Sequence, residues 1–393
     1  MNFTNRMDSP LNSPLNSPKV SLGITAAAYL LFIVLRLALS GYDPSHFVTA
    51  GDRFCDPALV PENLSVLNDS AGYDGQFYYR LALDPFTSKQ TDFGITIDDP
   101  GYRQQRILYP LTVWAVSLGR PELVPSAMIL VNYLAICLMG WVGGLYARSM
   151  GRHALWGLAF AFYPGFLLSL ARDLTEVLSA SLMLTGLLLV RRERHLSAAL
   201  LLSLATLARE TALPAAAGLV LIWLYEKLKN KSKQGAAPLL FLLPLIFYSL
   251  WQVWLFQQWG ALPLLSRDEL TGSPLPFSDF ITSFLHNASL ETHHQRLWFA
   301  EMCFLTAFAV TALYSLRSSS ARPHEKLSWL LYGVLVSTLS RLIWVEDWGF
   351  MRILSEFYVL GTIVILGSQS KLKLPVFACA ALLWLILFSI RLG

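Results

Sequence analysis

Apolar runs separated by short polar segments extend over most of this 393-residue chain. About 11 of these runs are predicted to be membrane-spanning helices, although 196–207 and 212–225 are shorter than the roughly 20 residues that a perpendicular helix needs. The predicted spans are 20–39, 126–147, 155–171, 174–190, 196–207, 212–225, 238–256, 297–316, 327–345, 350–366 and 374–390. Short spans fit a bundle with a water-filled cavity on one side. The chain is therefore predicted to be an all-α, polytopic membrane helix bundle.

The polar segments suggest how the chain is divided. Residues 1–19 include a repeat of Ser, Asn and Pro, and are predicted to form a disordered tail because closely spaced prolines prevent a helix. Residues 20–393 are predicted to be one transmembrane domain with long loops at 40–125 and 259–296. The first apolar run is too long for the hydrophobic part of a typical signal peptide, so we expect it to remain as an anchor.

Lysines and arginines gather in alternate connections between the predicted spans. Short loops on the cytoplasmic side of a membrane carry such an excess of positive charge. The pattern therefore predicts a cytoplasmic N-terminus in a bacterial inner membrane, with loops 40–125 and 259–296 on the outer face. Residues 107–118 are predicted to be an interfacial or re-entrant helix on that face, because a full span there would invert every later loop.

The composition narrows the classes of function. Charged residues make up 14% of the chain and the net charge is +4, which does not favour a nucleic-acid partner. The four cysteines lack the spacing of a disulfide framework or a zinc site, so we predict no metal site and no cofactor, while a divalent metal stays open. The sequence has no P-loop, so any activated donor is expected from the lipid phase or the outer aqueous side.

Segment 73–82, in the first outer loop, places a carboxylate among aromatic residues. Residues 76–82 are predicted to form a short amphipathic helix with Asp74 at its N-terminal end. Two interpretations stay open at this point. Asp74 caps the helix, which is a common use of aspartate, or it acts as a catalytic base at the membrane surface.

Arg103 and Arg106 lie three residues apart, on one face of a predicted helix at the membrane surface. Two guanidinium groups there can hold a phosphate through paired hydrogen bonds. The alternative is that they anchor lipid headgroups, with neighbouring tyrosines in the aromatic belt.

Two predicted turns between apolar runs carry ionisable residues at the outer ends of helices. The first holds Arg172, Asp173 and Glu176, and the second holds Arg209 and Glu210. Ionisable groups at membrane depth are costly and usually face a cavity or a partner. They can contribute to a site, or they can form local arginine–carboxylate pairs that stabilise each hairpin.

Arg352 enters a predicted span from the same side, with Glu356 one turn further along. It can bind a lipid phosphate, or it can pair with Glu356. Since all these groups lie at the outer face, we expect a site that transfers a group from a lipid phosphate, with a carboxylate as base and arginines at the departing phosphate.

Three segments then resemble a known family. Segments 73–85 (YDGQFYYRLALDP) and 102–111 (YRQQRILYPL) resemble bacterial relatives of the GT-C glycosyltransferases, and the first is similar to the outer-loop element of the GPI-anchor mannosyltransferases. Segment 204–211 (LATLARET) resembles a small-residue helix of the same relatives. The resemblance implies a polyprenyl-phosphate sugar donor, an inverting mechanism and an outer-face active site.

The resemblance implies that Asp74 is the catalytic base. Because Asp74 lies further from the first span than in many relatives, Asp43 is a rival base, and Asp173 is a second candidate that assists. The predicted substrate-binding residues are Tyr73, Gln76, Tyr78, Arg103, Arg106, Arg172, Glu176, Arg209, Glu210 and Arg352.

The predicted function is transfer of a sugar, a hexose such as mannose, from a polyprenyl-phosphate donor to a glycan or lipid acceptor in cell-envelope assembly. One alternative is a lipid or glycolipid transporter or flippase, for which broken helices in paired halves and charges near the bilayer midplane are expected. Another is a non-catalytic assembly partner of an envelope polymer machine, in which no single outer carboxylate matters.

Overall fold

The computed structural model describes residues 13–229, 237–263, 275–287 and 291–392, and most of these residues are helical. The helices are α1 (Pro18–Leu39), α2 (Gly75–Leu83), α3 (Pro100–Gln104), α4 (Leu108–Ser117), α5 (Val124–Ser149), α6 (Leu158–Ala161), α7 (Pro164–Ala171), α8 (Glu176–Arg191), α9 (His195–Ala208), α10 (Leu213–Leu228), α11 (Leu243–Trp259), α12 (Ser278–Asn287), α13 (His293–Ser315), α14 (Pro323–Ser337), α15 (Arg341–Val345), α16 (Asp347–Ile353), α17 (Ser355–Gly367) and α18 (Lys373–Ile390). Part of the predicted tail, residues 1–12, lies outside the described residues. Helix α1 begins within the predicted tail because Pro18 occupies its first turn, where a missing N–H is harmless, and Ser17 caps it.

Six helical segments among the described residues are long and apolar enough to cross a membrane. Two bent pairs are further candidates, α7 with the segment Ala154–Ala161 before it and α16 with α17, each turning by 51°. The chain therefore has the helices of a multi-pass membrane protein. The predicted span at 327–345 divides into α14 and α15, and the span at 350–366 begins inside α16 and continues in α17.

The two bent pairs contact each other at their breaks. Helix α7 starts at Pro164, which cannot donate the hydrogen bond that would continue the preceding helix. The hydroxyl of Tyr163 donates to the carbonyl oxygen of Met351 in α16. A side chain at Gly165 would overlap that carbonyl, so glycine is required for α7 to approach α16 this closely.

The predicted outer loop 40–125 folds into a layer of short elements. Strand β1 (Ala50–Gly51) pairs in parallel with β2 (Val66–Leu67), and β3 (Thr91–Asp92) pairs antiparallel with β4 (Ile95–Thr96). These two short strand pairs differ from the all-α fold that the sequence predicts. Helix α4, at 10 residues, is too short to span a bilayer and packs on α2 and α5.

Helix α2 lies at the centre of this layer. The predicted short helix is present, and the surrounding elements bury all nine of its residues from Gly75 to Leu83. Its first residue, Gly75, touches the turn that follows α7, where a side chain would overlap the carbonyl oxygen of Arg172 and lie 2.6 Å from that of Val48. This close approach sets Asp74 beside the ends of the bundle helices.

Candidate functional site

A polar cavity of about 230 Å³ lies where the segment before α2 and the helix α16 meet α3, α15 and the end of α9. Several residues singled out from the sequence line it. They are Tyr73, Asp74, Arg103, Arg106, Arg209 and Arg352. The fold therefore gathers into one cavity side chains that lie far apart along the chain.

Asp74 is held between two arginines. Its Oδ1 lies 2.8 Å from Nη1 of Arg103, and its Oδ2 lies 2.8 Å from Nη2 of Arg352. Asp74 occupies the position before α2 but has helical backbone angles, and its side chain makes no capping hydrogen bond among the described residues. The alternative that Asp74 serves as a helix cap therefore finds no support in this geometry. Its side chain is 15% exposed, on the wall of the cavity.

Arg103 is fixed from both sides. Its Nε and Nη2 donate to the two carboxylate oxygens of Asp98 at 2.8 and 2.7 Å, which is a bidentate pair. Its guanidinium also lies over the ring of Phe77, 4.6 Å from the ring centre. Only one edge of the guanidinium is left to orient Asp74.

Arg352 joins α16 to the start of α8. Its Nη1 donates to Glu176 at 2.9 Å, and its Nε donates to the hydroxyl of Tyr73 at 3.1 Å. Its expected alternative partner, Glu356, instead accepts from Ser179 at 2.8 Å. Arg352 is therefore part of the cavity wall rather than of a pair with Glu356.

Arg106 ties the outer loop to the bundle. Its Nη2 and Nε donate to the two oxygens of Glu210 at 2.7 and 3.1 Å, and it also donates to the hydroxyls of Tyr78 and Tyr102. Glu210 therefore does not form the local hairpin pair with Arg209 that the sequence left open. The nearest carboxylate oxygens to Arg209 belong to Glu176 and Glu356, at 3.4 and 3.7 Å.

Guanidinium groups and carboxylates alternate through this acid–arginine cluster. It consists of Arg103, Arg106, Arg209 and Arg352 with Asp74, Asp98, Glu176, Glu210 and Glu356. Burial opposes the charge of Arg106, but Glu210 and the adjacent tyrosines raise its pKa well above the usual value. Since each arginine already faces a carboxylate, an anionic ligand has to compete with carboxylates for them.

Arg172 separates this cavity from a second one. Its guanidinium lies between the rings of Tyr73 and Trp348, at 3.9 and 3.5 Å from the ring centres. The second cavity, of about 500 Å³, is lined by Arg172 and Trp348, and Glu346 lines both cavities. Burial lowers the pKa of Arg172 to about 10, which leaves it charged at neutral pH.

Asp43, Gln76 and Asp173 lie outside the cluster. Asp43 accepts from the backbone N–H of Ser45 at 2.9 Å and caps a short 3-10 helix. Gln76 accepts from the N–H of Gly51 at 3.1 Å and so secures the outer loop. Asp173 is fully buried with a left-handed backbone (φ 49°), and burial raises its pKa well above the usual value. The geometry gives Asp43 and Gln76 structural roles, and none of the three residues lines the cavity.

Sequence reasoning missed several residues of the site. Asp98 orients Arg103, Glu346 lines both cavities, and Gly349 allows α16 to approach α15, since a side chain there would lie 2.7 Å from the carbonyl oxygen of Ile343. The only available signal was that Glu346 belongs to a short acidic outer connection. His294 is exposed and lines the second cavity.

The part of the chain that the structure describes holds no group of three or more His, Cys, Asp or Glu side chains arranged for a metal ion. No protein-family model, curated protein or solved structure matches the chain. The resemblance to the GT-C glycosyltransferases therefore stays a prediction, and the functional argument depends on the geometry of the cavity.

Proposed function

We propose that the protein is a GT-C-like glycosyltransferase of about 11 spans that transfers a sugar from a polyprenyl-phosphate donor to an acceptor at the outer face of a bacterial inner membrane. The observation that carries this proposal is the carboxylate of Asp74, set on a cavity wall between Arg103 and Arg352.

In the proposed reaction, one bond forms at the donor sugar, one bond breaks, and Asp74 removes a proton. An acceptor hydroxyl oxygen attacks the anomeric carbon of the donor sugar, the bond from that carbon to the phosphate oxygen breaks, and polyprenyl phosphate leaves with the bonding electrons. Asp74 takes the proton of the attacking hydroxyl. The Asp74 side chain lines the cavity and is 15% exposed, so the attacking hydroxyl can reach its carboxylate there.

The arginines supply the charge that a departing phosphate needs. Arg106 and Arg209 line the cavity together with Arg352, and a phosphate can replace Glu210 on Arg106 because the Glu210 side chain is 19% exposed. The exchange keeps the guanidinium paired with an anion throughout. Two negative oxygens in a bidentate arrangement suit the planar guanidinium equally well in both states.

An apolar groove beside the cavity supports a lipid-linked donor. This groove, of about 590 Å³, is lined by residues of α12, α13, α14 and α17. Trp344 and Leu354 line the groove while their chain neighbours Ile343 and Ile353 line the cavity, so the same two segments border both. A donor with its phosphate at the arginines can therefore extend its hydrocarbon chain along the groove.

Product formation by the reconstituted full-length protein tests the proposal. Proteoliposomes are given a panel of short-chain polyprenyl-phosphate hexoses, mannose included, with an envelope lipid extract as acceptor, and the lipids are analysed by mass spectrometry. We expect one donor to be consumed with release of polyprenyl phosphate and formation of an acceptor carrying one more hexose. If the protein is folded but none of the donors is consumed, the proposal is contradicted.

One observation favours the transporter alternative: the two helix pairs that each bend by 51°, since discontinuous helices are typical of transporters. The same proteoliposomes distinguish it. A transporter moves a fluorescent glycolipid between leaflets without changing its mass, whereas the proposed enzyme changes the mass of both donor and acceptor.

A further inference from the structure

A third cavity, also polar, lies at the opposite end of the bundle from the acid–arginine cluster. Helix α8 begins at Glu176 in that cluster, and its other end contributes Val190 to this cavity. The 16 residues of α8 rise by about 24 Å. The cavity, of about 520 Å³, is thus separate from the proposed transfer site and lies at the end of the bundle that the sequence predicts to face the cytoplasm.

Three polar atoms on its lining residues are buried without a hydrogen-bond partner among the described residues. They are Nδ1 of His195, Nε1 of Trp223 and Nε2 of His324. Trp223 and His324 are only 9% and 8% exposed. Buried polar groups normally have a partner, so this cavity is suited to a ligand that supplies hydrogen-bond acceptors.

His324 has no alternative partner within its own helix. The nearest carboxylate oxygen belongs to Glu325, 4.0 Å from Nε2, which is beyond hydrogen-bond distance. Glu325 is already held by the guanidinium of Arg191 at 2.7 and 2.6 Å. Burial lowers the pKa of His324 to about 4, so its ring is neutral at physiological pH and can donate one N–H.

The charged residues of the cavity have both signs. Arg322 donates to the carbonyl oxygens of Val190 and Arg191 at 3.2 and 3.1 Å, and keeps further N–H groups for another acceptor. Glu193 and Glu226 add two carboxylates. A fitting ligand therefore carries a cationic group for the carboxylates and an anionic group for Arg322 and the ring N–H donors.

The remaining walls are apolar. Leu219 and Phe241 are buried, at 7% and 3% exposure, and Ile222 lies beside them on α10. The cavity thus combines a zwitterionic pocket with a hydrocarbon wall at the end of a membrane bundle. A phospholipid headgroup has this combination of groups, and a primary ammonium is the cation that can donate hydrogen bonds to Glu193 and Glu226.

We propose that this cavity binds the headgroup of a phospholipid with a primary ammonium, of the phosphatidylethanolamine type, with its phosphate at Arg322, Trp223 and His324 and its ammonium at Glu193 and Glu226. The occupant comes from the membrane leaflet at this end of the bundle. The site is independent of the proposed sugar transfer.

Native mass spectrometry of the purified full-length protein tests the proposal. The protein is titrated in detergent with phosphatidylethanolamine, phosphatidylcholine or phosphatidylglycerol of identical acyl chains. We expect the wild-type protein to retain phosphatidylethanolamine about tenfold better than the other two, since choline cannot donate hydrogen bonds and glycerol carries no cation. Equal retention, retention of none, or preference for phosphatidylglycerol would overturn the proposal.

Two variants locate the binding. The double variant Glu193→Gln, Glu226→Gln should abolish the preference, and Trp223→Phe, which keeps the ring but removes the N–H, should weaken retention several-fold. The matched control is Trp141→Phe, an exposed tryptophan on α5, which should change nothing. A normal melting temperature of each variant shows that it is folded, and an unchanged preference in the folded double variant would refute the assignment.

Discussion

The pair of Arg106 and Glu210 connects the outer loop to the bundle across 104 residues of sequence, and a double-mutant cycle tests that connection. Their side chains are only 5% and 19% exposed. Removing one member of a buried pair costs about 3–5 kcal/mol, because it leaves the other charge without its partner. We therefore expect Arg106→Gln and Glu210→Gln each to destabilise the protein by about 3 kcal/mol.

The double variant removes both charges and leaves neither unpaired. It should be less destabilised than the sum of the single variants by about 2 kcal/mol. In thermal unfolding followed by intrinsic fluorescence in detergent, each single variant should lower the melting temperature by about 6–12 °C, at about 2–4 °C per kcal/mol. The control Lys89→Gln breaks an exposed pair with Asp92 and should change stability by less than about 1 kcal/mol. If the stability change of the double variant equals the sum of the two single changes, Arg106 and Glu210 do not pair as the structure has them.

Two further predictions follow from buried residues near the site. Burial raises the pKa of Asp173 in the folded protein. The free energy of unfolding of the wild-type protein should therefore fall as pH rises from about 4, the usual carboxyl range, toward that raised pKa. Asp173→Asn keeps a residue that tolerates a left-handed backbone and should flatten that dependence in melting curves recorded across pH, whereas an unchanged slope would contradict it. Gly75→Ala should prevent α2 from docking and reduce the yield of monodisperse protein, while Gly23→Ala, with open space around it, should behave as wild type. A well-folded Gly75→Ala protein would refute the close contact.

The sequence predicts the coarse fold well because apolar runs and their polar boundaries are local signals. The ends of α8 and α9 lie within two residues of the predicted spans 174–190 and 196–207. The predicted span at 327–345 was wrong in detail, because the polar stretch 337–341 inside it marks the turn between α14 and α15. The break before α7 is likewise marked by Pro164, whereas the close approach of Gly165 to Met351 depends on packing that composition does not encode.

The sequence indicated which residues belong to the candidate site better than it indicated which of them contact each other. Arg352 could be singled out as an ionisable group at the end of an apolar segment. Asp74 stood out by its aromatic neighbours, and Arg103 by its spacing from Arg106. Their partners could not be derived, since Asp74 and Arg352 are 278 residues apart and local spacing favoured Glu356 instead. Asp43 was attractive because it follows the first span, but the same position suits a capping residue.

Sugar transfer by Asp74→Asn compared with Asp43→Asn tests the proposed mechanism most directly. Both changes remove one carboxylate from the outer loop, but only Asp74 lies on the cavity wall. In proteoliposomes with the accepted donor, Asp74→Asn should slow transfer by about 100-fold or more, the usual contribution of a general base, while Asp43→Asn stays close to wild type. The variant is expected to fold, because Arg103 keeps its pair with Asp98 and Arg352 keeps its pair with Glu176 when Asp74 is neutralised. The melting temperature checks this. A folded Asp74→Asn protein that transfers sugar at the wild-type rate would show that this carboxylate is not the base.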